Sequence, residues 1–225
     1  DETGRLFAHG DERGVVFQLD PNTGSVVKKF FLGEPKPIRA DFEDIAIVGK
    51  IFYMITSKGK LYEFLEGGNG ERVKYTITKL ELPRGCNIEG LCYDPTAMSL
   101  LIPCKDFSDR VDKRQRPIFS FSLKEGKLDP KPRFLLSLLQ LKAKFDVDDL
   151  SPTGIVRNPS TGNFFILSSH TPVVVELSAS GDILDCVKLP KEVHGQPEGI
   201  TILPDRTLLI SNEGMKRGII VKYPM

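Results

Sequence analysis

Four stretches of the chain repeat one pattern of polar and apolar residues. Each copy opens with a short polar phrase, runs through an apolar strand, turns at Pro, Gly, Asn or Asp, and returns through a second apolar strand. The copies are DFEDIAIVGKIFYMITS from Asp41, NIEGLCYDPTAMSLLIPCKD from Asn87, SPTGIVRNPSTGNFFILSSH from Ser151 and QPEGITILPDRTLLISNE from Gln196. Internal repetition at such intervals predicts a repeat architecture.

Three copies continue into an alternating third strand, and a fourth strand leads to the next copy. The predicted third strands are Lys60–Phe64, Ile118–Leu123 and Val173–Leu177. Four short antiparallel strands per unit are typical of a propeller blade. The equivalent positions Glu43, Glu89, Thr153 and Glu198 are 46, 64 and 45 residues apart, so one insertion lies between Lys105 and Ser151.

A fifth copy at the amino end lacks its first strand. There Arg5–His9, Val15–Leu19 and Ser25–Phe31 resemble strands two to four, and the last copy ends after Ile219–Tyr223 without a fourth strand. Propellers close when the amino-terminal segment completes the last blade, so we expect that a native amino-terminal segment is missing. We predict an all-β fold: one β-propeller domain over residues 1–225, with four-stranded antiparallel blades, five visible and six as the alternative.

Two local features leave alternatives open. The apolar run Leu135–Phe145 predicts either a helix or an outer strand plus a connector. The four cysteines, Cys86, Cys92, Cys104 and Cys186, lack the close spacing of a zinc or redox motif, which favours buried free thiols.

Charge and hydropathy exclude several classes of function. Lys and Arg number 31 against 30 for Asp and Glu, so no net field attracts nucleic acid or an anionic membrane. Because no apolar run is as long as a membrane-spanning helix, we expect no membrane insertion of this chain.

Polar residues recur just before the first strand and just after the second strand of each copy, which places them at one mouth of a central channel. Carboxylates crowded there would repel one another unless a cation lay among them, and Ca²⁺ prefers such oxygen ligands. We therefore predict a Ca²⁺ site formed by Glu43, Glu89, Glu198 and Glu213. The predicted ligand contacts at the mouth are Asp11, Asp44, Lys105, Asp106, Asp149, Thr153, His170 and Asn212. The alternative is that these acidic residues cap turns.

At these residues the chain resembles the SdiA-regulated (YjiK-like) family of bacterial cell-envelope β-propellers. The matching phrases are HGDERGVVFQLDPNTGSVVKKF, FEDIAIV, NIEGLCYDP, SPTGIVRNPSTGNFFILSS and QPEGITILPDRTLLISNEG. The resemblance implies calcium binding and a periplasmic or otherwise envelope-bound protein, secreted or anchored through the missing segment. It supports the four Glu residues as mouth positions, whereas Thr153 departs from the Glu of the other copies.

Three functions fit this pattern. The first is a non-enzymatic envelope propeller that binds Ca²⁺ and, through it, a small ligand or envelope protein. The second is a Ca²⁺-dependent hydrolase of phosphate or lactone esters, with His170 or His9 as general base and cations from Arg110, Lys113, Arg114 and Arg116. The third is an interaction scaffold that uses the segment Phe107–Pro117. The acidic ring without an obvious nucleophile favours the first function, with no catalytic residue assigned.

Overall fold

The computed structural model describes residues 1–106, 114–214 and 218–225. For Asp106 the description covers the backbone and leaves out the side chain. These ranges form 21 strands and one helix, and the strands make five sheets. The chain is thus an all-β propeller with five blade sheets, and the predicted fold class is confirmed. It divides into two compact units, Asp1–Glu81 and Leu82–Met225.

The first unit contains two sheets, each with three consecutive antiparallel strands. The strands of the first sheet are β1 Leu6–His9, β2 Val15–Leu19, β3 Val26–Leu32 and β7 Arg72–Val73. Those of the second are β4 Phe42–Val48, β5 Ile51–Thr56, β6 Lys60–Leu65 and β8 Tyr75–Lys79. The first sheet has the order β1-β2-β3-β7, in which β7 runs parallel to β3, and the second has the order β4-β5-β6-β8.

The second unit contains the other three sheets. The third sheet comprises β9 Asn87–Ile88, β10 Cys92–Asp94, β11 Ser99–Asp106, β12 Gln115–Ser122, β13 Lys127–Leu128 and β14 Phe134–Ser137. The fourth comprises β15 Pro152–Arg157, β16 Phe164–Ser168, β17 Val173–Leu177 and β18 Ile183–Lys188, and the fifth β19 Pro197–Ile202, β20 Thr207–Asn212 and β21 Ile219–Pro224.

The run Leu135–Phe145 contains both of the structures that the sequence left open. Strand β14 pairs with β12, and the helix α1, Leu138–Phe145, follows directly. The Ser137 hydroxyl accepts a hydrogen bond from the Gln140 amide, which caps the first turn, and Asp146 ends the helix in a left-handed conformation. The helix buries Leu141 in the core of the second unit.

Each unit has its own apolar core. In the first unit, Phe30 of the first sheet packs edge to face on Phe52 of the second, with ring centroids 5.9 Å apart. Within the second sheet, Phe52 stacks on Phe64 with centroids 5.7 Å apart. In the second unit, one cluster joins the third and fourth sheets, and a smaller one around Leu167 and Ile210 joins the fourth and fifth. Burial of such side chains stabilises the fold by about 1.5–3 kcal/mol each.

The prediction of free thiols is wrong for two of the four cysteines. Cys86 and Cys104 form a disulfide with a Cα–Cα distance of 5.2 Å, while Cys92 is free and buried and Cys186 is free and half-buried. Cys92 lies opposite Leu101, too far along β11 to reach Cys104. The short strand β9 instead brings Cys86 near Cys104, because Ile88 pairs with Cys104.

Among the described residues, no helix is long and apolar enough to cross a membrane. The only helix found there has eight residues.

Candidate acidic site

A β-bulge marks the same position in three of the repeat copies. The ladder between the first two strands of the copy skips Glu43 in β4, Thr153 in β15 and Glu198 in β19. In the remaining copy the strand β9 ends at Ile88, and Glu89 lies between β9 and β10. Bulges redirect side chains and often lie beside functional sites. The equivalence of these four positions therefore has a structural basis.

The second unit brings three of the predicted acidic ligands close enough to interact: Glu89, Glu198 and Glu213, here called the acidic cluster. Gln196 connects two of them, since its amide nitrogen donates to Glu198 Oε1 at 3.2 Å and to Glu213 Oε2. The Glu213 amide in turn donates to the Gln196 carbonyl at 2.9 Å. The Gln196 side chain was not among the predicted contacts.

Glu89 is the most buried member of the cluster, with 8% of the residue exposed. Lys105 Nζ lies 2.8 Å from each of its carboxylate oxygens, and Asn87 Nδ2 donates to Glu89 Oε1 at 3.1 Å. The predicted mouth residue Lys105 thus pairs with one carboxylate of the cluster. Glu213, by contrast, is exposed.

Electrostatic repulsion acts on Glu198. Burial raises the pKa of its carboxyl above the usual value, and the negative charges of Glu89 and Glu213 raise it further. The hydrogen bond from Gln196 and the positive charge of Lys105 oppose this shift. Among the described charged groups that act on Glu198, two carboxylates therefore raise its pKa and one cation lowers it.

Thr153 lies at the equivalent position but has a different role. Its buried hydroxyl donates to the Pro197 carbonyl at 2.9 Å. A Cβ at the adjacent Gly154 would lie 3.0 Å from the Glu198 carbonyl oxygen, so this backbone approach requires glycine. This hydrogen bond ties Thr153 to the backbone that carries Glu198.

Asn212 belongs to a buried network that the sequence did not predict. Its Oδ1 lies 3.1 Å from His194 Nδ1, and His194 Nε2 lies 2.6 Å from the Tyr223 hydroxyl. His194 is fully buried. Its partners come from two strands that are remote in sequence, so no local pattern indicates this contact.

His170 and Asp149 lie together in a second polar group of the same unit. His170 Nδ1 is 3.1 Å from Ser151 Oγ and 3.8 Å from Asp149 Oδ2. Arg116 donates to Asp149 Oδ1 at 3.0 Å and to the Leu150 carbonyl at 2.7 Å. Ser151 is buried, and its hydroxyl and the Asp149 carboxylate both lie near Nδ1 of His170. In a nucleophilic triad the serine and the aspartate contact opposite nitrogens of the histidine ring, so these residues lack that geometry.

Two of the predicted mouth residues in the first unit, Asp11 and Asp44, accept hydrogen bonds from the next backbone amide. Asp44 Oδ1 accepts from the Ile45 amide at 2.7 Å, and Asp11 Oδ1 accepts from the Glu12 amide at 2.8 Å. Asp11 lies in a bend, so its contact fits the alternative in which acidic side chains cap turns, whereas Asp44 lies within β4. Burial lowers the pKa of His9, although hydrogen bonds to the Gly10 and Glu43 backbones and the negative charge of Asp11 oppose the shift.

Within ranges 1–106, 114–214 and 218–225, no group of three His, Cys, Asp or Glu side chains is arranged to hold a metal ion. The predicted contact Asp106 ends β11, but its side chain lies outside the described part of the chain. Arg110, Lys113 and most of the segment Phe107–Pro117 also lie outside it. Arg116 is described and pairs with Asp149, and the Arg114 carbonyl accepts from the Leu138 amide at 2.8 Å.

The chain matches one family profile and many solved structures. The profile is that of the SdiA-regulated family, and it matches residues 1–216. No curated protein matches the chain significantly.

Three solved structures illustrate the shared fold. A Myxococcus xanthus glutaminyl cyclase has 14% identity, with 98% of this chain and 88% of that one covered and a TM-score of 0.64. A Xanthomonas campestris gluconolactonase has 15% identity, with coverage of 94% and 67% and a TM-score of 0.58. A Bacteroides caccae protein of unknown function has 16% identity, coverage of 98% and 72%, and a TM-score of 0.52.

Proposed function

We propose that this chain, which belongs to the SdiA-regulated family, is a non-enzymatic envelope β-propeller that binds Ca²⁺ at its acidic cluster. Through the bound ion it would hold a small ligand or an envelope protein. Glu89, Glu198 and Glu213 supply carboxylate oxygens, and Gln196 supplies an amide oxygen after rotation of its side chain. Glu43, the fourth predicted ligand, lies in the other unit, and its role stays a prediction.

One observation carries this proposal: the half-buried carboxyl of Glu198 is repelled by the two neighbouring carboxylates of Glu89 and Glu213. A divalent cation would relieve that repulsion and satisfy several oxygens at once. Hard oxygen ligands suit Ca²⁺ better than zinc or copper. Since the described side chains do not form a closed set of ligands, binding requires them to move. We expect a dissociation constant of about 10⁻⁴ to 10⁻³ M, as for extracellular calcium modules.

Calorimetric titration of chelator-treated protein with Ca²⁺ tests the proposal. The wild-type chain should bind one ion, and Glu198→Gln should weaken binding about tenfold or more, because a charged ligand is lost. Glu192→Gln is the matched control, since Glu192 is an exposed carboxylate outside the cluster. No heat beyond dilution at millimolar Ca²⁺ would reject the site.

An envelope location agrees with the chemistry of the cysteines. The Cys86–Cys104 disulfide would persist in an oxidising compartment such as the bacterial periplasm and would be reduced in the cytosol. This supports a periplasmic or secreted protein. Counting free thiols in protein purified from the periplasm tests it: two thiols per chain are expected, whereas four would contradict the assignment.

A Ca²⁺-dependent ester or lactone hydrolase is the second candidate, favoured by the orientation of His170. Ser151 and Asp149 lie at its Nδ1 edge, so Nε2 of this exposed ring could take a proton from an attacking water. A propeller of similar fold is described as a gluconolactonase, which makes lactones the first substrates to assay, followed by phytate and p-nitrophenyl esters. Turnover that His170→Ala abolishes would establish this function in place of the first.

The scaffold function stays a prediction. The segment Phe107–Pro117 on which it depends lies largely outside the described residues. Deletion of that segment should remove any partner recovered in a pull-down, and unchanged partners would contradict the scaffold role.

A further inference from the structure

The buried network around His194 adjoins, along the chain, a member of the acidic cluster and the glutamine that contacts it. His194 lies two residues before Gln196, and Asn212 directly precedes Glu213. We infer that His194 is a positioning residue, which holds the turn leading to Gln196 against the end of β20, which leads to Glu213. The inference rests on the proposed function for its consequence in Ca²⁺ binding, but its geometric part can be tested without metal.

His194 is the buried anchor of an exposed turn. Residues 191–196 precede β19, all six are described, and His194 alone among them is buried. The carbonyl of Pro190 accepts hydrogen bonds from the amides of Val193 at 3.1 Å and His194 at 2.9 Å. These hydrogen bonds shape the turn, whereas the side chain of His194 attaches it to the fifth sheet.

Both nitrogens of the His194 ring are hydrogen-bonded inside the fold. Nδ1 lies 3.1 Å from Asn212 Oδ1 at the end of β20, and Nε2 lies 2.6 Å from the Tyr223 hydroxyl on β21. The rings of His194 and Tyr223 also stack, with centroids 5.7 Å apart. Hydrogen bonds at two different edges of a fully buried ring fix its position and its orientation.

The backbone ladder joins the same two segments. Pro197 pairs with Asn212 between β19 and β20, but proline has no amide proton to donate there. At the next pair of residues, the Glu213 amide donates to the Gln196 carbonyl at 2.9 Å. The hydrogen bond between His194 and Asn212 lies beside this pair and restrains the same separation.

The side chain of Gln196 depends on that separation. Although Gln196 is exposed, its amide nitrogen donates to Glu198 Oε1 at 3.2 Å and to Glu213 Oε2. Ordering a glutamine side chain costs conformational entropy, so an exposed one keeps two partners only while the backbone spacing favours both. Outer residues that orient ligands in this way are a common part of metal sites. A network that served only global stability would leave the Gln196 contacts unchanged in the folded protein.

The first test uses metal-free protein and Tyr223→Phe, which removes one hydrogen bond to His194 but keeps both rings. Nitrogen-15 NMR would record the side-chain amide of Gln196 and the backbone amide of Glu213 in the folded state. Both signals should shift toward the values of amides exposed to water, because their hydrogen bonds lengthen. Ile118→Val is the control, since it removes one methyl group from the core of the third and fourth sheets. It should lower stability and leave both signals unchanged.

Three results would overturn the inference. The first is that both signals are unchanged in folded Tyr223→Phe. The second is that Ile118→Val shifts them equally, because the shifts would then reflect a general loss of stability. The third is loss of the whole fold in Tyr223→Phe, because the network would then support the chain rather than position the site.

The second test measures Ca²⁺ affinity by calorimetry for the wild-type chain and the same two variants. The dissociation constant should rise about tenfold in Tyr223→Phe, as for loss of groups that orient metal ligands, and should keep the wild-type value in Ile118→Val. Equal affinities of Tyr223→Phe and wild type would contradict the positioning role. If the wild-type chain binds no Ca²⁺, the proposed function fails, while the metal-free NMR comparison still decides whether the network positions Gln196.

Discussion

The hydroxyl of Thr153 donates a 2.9 Å hydrogen bond to the carbonyl oxygen of Pro197, the residue before Glu198. Both partners are buried. The one repeat copy that lacks Glu at the bulge position therefore fixes the backbone of the copy that follows it.

Replacement of Thr153 by Val should reduce the free energy of unfolding by about 1–3 kcal/mol, because the buried Pro197 carbonyl loses its donor. Thr153→Ser keeps the hydroxyl and should cost less. Urea denaturation measures both effects. Thr78→Val, on the exposed face of β8, is the control and should be near neutral. If Thr153→Val is equally neutral, the hydrogen bond does not stabilise the fold.

The equivalence of Glu43, Glu89, Thr153 and Glu198 could be predicted from sequence because the polar phrase and the strand that follows it recur in each copy. The strand Val173–Leu177 was predicted with its observed bounds. The role of Thr153 could not be predicted, since its partner Pro197 belongs to another copy, 44 residues away. Contacts between copies depend on packing that a single repeat does not encode.

The disulfide was missed for a related reason. The repeat predicts one first strand in each copy, whereas the copy from Asn87 has the two short strands β9 and β10 with Glu89 between them. This interruption brings Cys86 opposite β11. An irregular ladder has no periodic signal, so neither the break nor the cysteine pairing follows from hydrophobic alternation.

The stability of metal-free protein should depend on the ionisation of Glu198. Its pKa is raised on folding, so the folded state holds the proton more tightly than the unfolded state. The unfolding free energy should therefore decline as the pH rises from the unfolded-state pKa through the raised folded-state value. Glu198→Gln removes this dependence, so its stability relative to wild type should improve with pH. Denaturation between pH 4 and 7 measures this, and parallel profiles would contradict the raised pKa.

The contribution of Glu66 to stability should depend on pH in the opposite direction. Burial opposes ionisation of its carboxyl, but hydrogen bonds from Lys28 and Arg5 outweigh burial and lower its pKa. The resulting stabilisation is present above the unfolded-state pKa and is lost as the pH falls through the folded-state value. Glu66→Gln should cost about 1 kcal/mol or less at pH 7 and nothing at low pH.

Glu63→Gln provides the control for Glu66, because Glu63 is an exposed residue of β6, the strand that ends just before Glu66. Thermal denaturation at pH 3 and pH 7 would compare the two variants. A pH-independent effect of Glu66→Gln would show that these ion pairs add no stability.

Tyr223→Phe should destabilise the chain by about 1–3 kcal/mol, because fully buried His194 would lose the hydroxyl 2.6 Å from its Nε2. Chemical denaturation measures the loss. Tyr75→Phe, on partly exposed β8, removes a hydroxyl of the same kind and should have little effect. If the two substitutions reduce the free energy of unfolding equally, the contact with His194 does not stabilise the fold more than the Tyr75 hydroxyl does.

A crystal soaked in Ca²⁺ would test the Ca²⁺ site without relying on a binding curve, because anomalous scattering locates the ion itself. We expect one peak within about 2.3–2.6 Å of carboxylate oxygens from Glu198 and from at least one of Glu89 and Glu213. A peak elsewhere, or none at millimolar Ca²⁺ with the three carboxylates unchanged, would contradict it.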